Sequence, residues 1–89
     1  MINEENLLKN GYKEALSTYF KHFEDKDGMK YTITFYKHSN GKYDADVTLF
    51  YYNRTEIISF GYVKSIKEVE EFVEKRWFKT DAGYEVLFN

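Results

Sequence analysis

Eighty-nine residues make one domain, 1–89, since a single hydrophobic core typically organises about 100–150 residues and rarely divides below that. Small size is offset by nine Tyr, eight Phe and one Trp, 20% of the chain, each able to bury roughly 150–250 Å². The absence of cysteine excludes a disulfide framework and a Cys-based zinc site, and a net charge of −2, from 13 basic and 15 acidic residues, suits neither a basic nucleic-acid binder nor a strongly acidic DNA mimic.

The chain opens Met1-Ile2-Asn3-Glu4-Glu5-Asn6, with acids where a signal peptide needs positive charge and an apolar run. No stretch approaches the ~18 consecutive apolar residues of a membrane span. A cytoplasmic location is expected, and the sequon Asn53-Arg54-Thr55 is then accidental.

Leu8, Tyr12, Ala15, Leu16, Tyr19, Phe20 and Phe23 recur at spacings of three and four. That spacing fits a helix, which either continues through 18–25 or ends at about residue 17. The shorter helix is favoured, giving way to a strand over 18–25 with a turn at Asp25-Lys26-Asp27-Gly28. Over 29–38 the pattern alternates, with Met29, Tyr31, Ile33 and Phe35 on one face and Lys30, Thr32, Thr34 and Tyr36 on the other. After Ser39-Asn40-Gly41 a second alternation sets Ala45, Val47, Leu49 and Tyr51 against Asp46, Thr48, Phe50 and Tyr52. A third strand over 56–63 is rich in β-formers, and Gly61 inside it signals a bulge or a close approach of another group. Ser65-Ile66-Lys67-Glu68 reads as a capping box that opens a helix to about Trp77. Ile66, Val69, Val73 and Trp77, flanked by Phe72, form its buried stripe, and Glu70, Glu71, Glu74 and Lys75 its wet face. The run 84–88 fits either a short last strand or an apolar strap across the sheet.

These elements predict an α+β fold: an antiparallel sheet of three to five strands, with an N-terminal and a C-terminal helix packed on one face. Catalysis is not expected. His22 and His38 lack metal-ligand spacing, the Asp25-Lys26-Asp27-Gly28 turn lacks the later bidentate Glu of a calcium loop, and no phosphate-binding loop or nucleophile elbow occurs. No cofactor or metal is expected. The acids of the last helix read as its solvated face.

What remains is surface. Tyr36, Phe50 and Tyr52 share the parity opposite the presumed core face, so they are the candidate protein-contact residues. Cross-strand support of the sheet is the competing role for the same rings. A protein-binding module is therefore expected, with a nucleic-acid binder as the alternative, because helix, three-strand meander and helix is also the order of a double-stranded-RNA-binding domain. Against that alternative, the last helix begins with three glutamates in its first two turns, Glu68, Glu70 and Glu71, where such domains place lysines.

Leu7-Leu8-Lys9-Asn10-Gly11-Tyr12-Lys13-Glu14, then Asp25-Lys26-Asp27-Gly28-Met29-Lys30-Tyr31 and the Tyr/Phe/Lys-rich remainder, resemble small proteins encoded in phages and prophages of low-GC Gram-positive bacteria. The resemblance covers most of the chain and carries over no activity and no site residue. It implies an accessory protein of infection or lysogeny that binds a host or phage protein, in the manner of inhibitors of CRISPR nucleases and other defences. A homodimer is left open.

Overall fold

A computed structural model describes residues 1–25 and 28–75. The turn residues Lys26 and Asp27, the expected core residue Trp77 and the expected strand or strap over 84–88 lie outside the described residues.

The first helix, α1 (Glu4–Lys9), is much shorter than the spacing predicts. Asn3 caps it, its side-chain oxygen accepting from the Asn6 N–H at 2.8 Å. At the other end, the Gly11 N–H donates to the Leu8 carbonyl at 3.1 Å and the Tyr12 N–H to the Leu7 carbonyl at 3.0 Å. Gly11 supplies the left-handed residue (φ 90°) of this Schellman motif, and Leu7 and Tyr12 are both buried beside it. The expected helix to residue 17 is thus overturned: Asn10-Gly11 stops it, and Leu8, Ala15 and Leu16 of the supposed buried stripe are exposed.

Five strands follow: β1 (Lys13–Ala15), β2 (Thr18–Glu24), β3 (Lys30–Lys37), β4 (Tyr43–Phe50) and β5 (Thr55–Val63). They form one antiparallel sheet in the order β1-β2-β3-β4-β5. Five strands between the helices, where the RNA-binding order has three, remove the likeness of element order noted above. The β1–β2 hairpin turns on Leu16 and Ser17, with Leu16 at φ 57°. Glycine is the usual occupant of such a position, so nothing in the sequence marks this hairpin.

The last helix, α2 (Ile66–Val73), starts as its capping box predicts. The Glu68 N–H donates to the Ser65 hydroxyl at 3.1 Å, and the Glu68 carboxylate accepts from the Lys64 N–H at 2.9 Å. Both helices lie on one face of the sheet. There Leu7, Val69 and Val73 join Tyr19, Tyr31, Ile33, Phe35, Tyr43, Ala45, Val47 and Leu49 in one buried cluster. Tyr12 meets Phe35 edge-on at 5.3 Å, and Phe60 meets Phe72 edge-on at 5.1 Å. Glu70 does not simply face water: it accepts the Tyr12 hydroxyl at 2.8 Å and so ties α2 to the start of β1. Burial, and then this bond to a carboxylate, push the Tyr12 phenol far above its ordinary pKa.

Candidate functional site

On β3 and β4 every second side chain points away from the helices, and no described helix covers that outer face. Register gives its layout. Tyr36 stands opposite Asp44, Thr34 opposite Asp46, Thr32 opposite Thr48, and Lys30 opposite Phe50. Tyr36 and Phe50, chosen by parity, do lie on this face and are 37% and 44% exposed. They are not neighbours. Phe50 stands across from Lys30, six positions along β3 from Tyr36, which is about 20 Å at ~3.4 Å per residue. Tyr52 is not on the sheet at all, because β4 ends at Phe50 and Tyr52 sits fully exposed in the turn to β5.

Two features that strict alternation misses complete the face. Asp44 pairs with Tyr62 but Ala45 pairs with Phe60, so Gly61 is the extra residue of a β-bulge. The bulge confirms the reading of Gly61 and reverses the parity beyond it. Tyr62 would share a face with Ile58 and Phe60 in an unbroken strand; in the folded chain it joins Asp44 on the outer side, 56% exposed. Ile57, opposite Thr48, is 62% exposed on the same side. A glycine within an apolar run was the available signal for the first of these. The second follows from counting parity back from the bulge.

At the Tyr36 end the face is acidic and aromatic. The Tyr36 hydroxyl donates to Asp46 Oδ2 at 2.7 Å, and burial followed by that bond push its phenol up to about 12. Asp46 is itself shifted upward, chiefly by desolvation and further by the charge of Asp44, against the lowering effect of the tyrosine bond. His38 Nε2 lies 3.0 Å from Asp44 Oδ2 without forming a hydrogen bond to it. The His38 ring meets Tyr62 edge-on at 5.3 Å, and Lys42 Nζ stands 5.3 Å over the Tyr62 ring. Tyr36, His38, Asp44, Asp46 and Ser59 line an open hollow of ≈330 Å³ here.

At the Phe50 end, His22 bonds Thr32 through Nδ1 and Oγ1 at 2.8 Å and packs 5.5 Å from the Phe20 ring. Thr32 is only 9% exposed. Its hydroxyl therefore serves to orient the imidazole and is not presented as a nucleophile. His22 is thus hydrogen-bonded to a neighbouring side chain, whereas His38 Nε2 meets Asp44 without a hydrogen bond. Among the described residues, no group of three or more His, Cys, Asp or Glu could hold a metal ion, and no helix is long and apolar enough to cross a membrane.

No protein-family model, curated protein or solved structure matches this chain. Its functional reading therefore rests on the chemistry of this face. Rings at both ends, threonines between them and two carboxylates at one end can bury apolar area and fix a partner's orientation through a few polar contacts.

Proposed function

We propose that this chain is a non-enzymatic protein-binding module whose outer sheet face docks on a partner protein. The observation that carries the reading is the set of large apolar side chains left open there: Tyr36, Phe50, Ile57 and Tyr62 on the strands, with Tyr52 on the adjoining turn. An open antiparallel sheet ordinarily turns a polar face to water, and rigid rings bury much area at small entropic cost on binding. The resemblance to small phage and prophage proteins directs the inference to a bacterial host protein, bound in fixed stoichiometry and thereby inhibited.

The test is affinity capture from bacterial lysate, with and without nuclease, using the natural chain and a Phe50→Ala/Tyr62→Ala variant. The expected result is a protein captured by the natural chain, retained after nuclease and after added salt, and lost by the variant at unchanged melting temperature. Each ring that acts as an anchor should weaken binding by about 2 kcal/mol or more. Capture that the variant leaves intact would remove the outer face from the reading. Capture abolished by nuclease, with steep salt dependence, would replace the partner protein with a nucleic acid.

A further inference from the structure

The two edges of the sheet are finished differently. On one side β1 has only three residues, two of them the charged Lys13 and Glu14. Shortness and charge are the usual protections of an edge strand. On the other side β5 runs for nine residues with no proline and no lysine. Its single charge, Glu56, is paired with Arg54 at 3.0 Å. Among the described residues no strand pairs with its outer edge.

The side chains of β5 are also incompletely covered on both faces. Val47 and Leu49 of β4 are fully buried, whereas Ile58 and Phe60 on the same face of β5 are only partly so. On the outer face Ile57 is open. A strand laid along β5 would thus cover apolar groups above and below the sheet while satisfying a row of backbone N–H and carbonyl groups. Such a strand must itself be extended, almost uncharged and apolar on both faces. β5 has that composition.

We propose that β5 pairs antiparallel with β5 of a second copy of this chain about a two-fold axis, joining the two sheets into one of ten strands. The bulge at Gly61 confines regular pairing to residues 55–60. Directly opposed residues of an antiparallel pair share a face, so the axis must pass through a residue. An axis at Ile57 or at Ile58 sets Glu56 opposite Ile58 or Phe60 of the second copy, whereas parallel in-register pairing would set the two Glu56 carboxylates together. The self-complementary arrangement is the isologous one that two-fold dimers require. A seam of about five residues lies at the small end of interface sizes, so assembly requires micromolar protein.

Light scattering of the full chain at high micromolar concentration should give twice the 10.7 kDa chain mass, falling to a single chain on dilution. Ile57→Lys, whose side chain is largely exposed, should leave the melting temperature of the diluted monomer unchanged and abolish the dimer. The chain has no cysteine, so single cysteines report proximity cleanly. Of Ile57→Cys and Ile58→Cys, the variant at the axis should cross-link on oxidation, while Leu16→Cys at the far edge should not. A monomer at every concentration would overturn the proposal, whether its β5 amides exchange freely or are protected from within the chain. So would a dimer that survives Ile57→Lys, or one that cross-links only through Leu16→Cys. Because the readout is self-association alone, its failure leaves the partner-binding reading of the outer face standing.

Discussion

The inner and outer faces of β3 and β4 come from the same two stretches of chain, one residue out of step, and both carry rings. On the inner face Tyr31, Ile33, Phe35, Tyr43, Val47 and Leu49 are closed in by α1 and α2. On the outer face Tyr36 and Phe50 keep more than a third of their surface, and no described helix lies over them. An aromatic side chain on a strand is therefore ambiguous by itself. Its role is set by whether a second layer arrives on its side of the sheet.

The strongest way to break this contrast is to remove one ring from each face. Phe35→Ala deletes a fully buried ring packed on Tyr12 and should cost about 3–5 kcal/mol in denaturant unfolding. Phe50→Ala should cost less than about 1 kcal/mol, since a largely open side chain has little to lose. Equal costs would mean that the outer ring belongs to the core and would weaken its claim as a contact residue.

A finer comparison removes a hydroxyl from each face. Tyr12→Phe leaves Glu70 without its donor at a partly buried site and should cost about 1–2 kcal/mol by the same unfolding measurement. Tyr36→Phe breaks an exposed bond to Asp46, whose carboxylate can turn to water, and should cost about 0.5 kcal/mol or less. A larger loss at Tyr36 would make the Tyr36–Asp46 pair a structural tie.

Alkaline pH tests a property on which the two faces should agree. Burial is the leading cause of an upward shift to about 12 for Tyr31 on the inner face and for Tyr36 on the outer. A phenol that holds its proton more tightly when folded contributes stability fully below its ordinary value of 10.0. That contribution is lost as pH rises from there through about 12. Melting temperature followed against pH should decline in that window, and Tyr36→Phe should shallow the decline. A profile unchanged by Tyr36→Phe would show that Tyr36 ionises alike in the folded and unfolded chain.

The sequence alone determined those parts of the protein that depend on neighbours along the chain. Strict alternation made β3 and β4 and their faces legible, Ser65 and Glu68 marked the start of α2, and Gly61 marked the bulge. Asn10-Gly11 also carried the end of α1, but the spacing of Leu8, Tyr12, Ala15 and Leu16 imitates an apolar helix face and pointed beyond it. Tertiary structure decided the rest, because it depends on groups distant in sequence. The Leu16 hairpin has no turn residue of its own and is imposed by the pairing of β1 with β2. Glu70 leaves the wet side of its helix because Tyr12, 58 residues away, reaches it. Tyr36 and Phe50 share parity, which sequence gives, but the register of β3 on β4 sets them at opposite ends of the face. Tyr62 reaches that face only through the one-residue slip at Gly61. Parity is a local property of an extended backbone; position on a sheet is a property of its pairing.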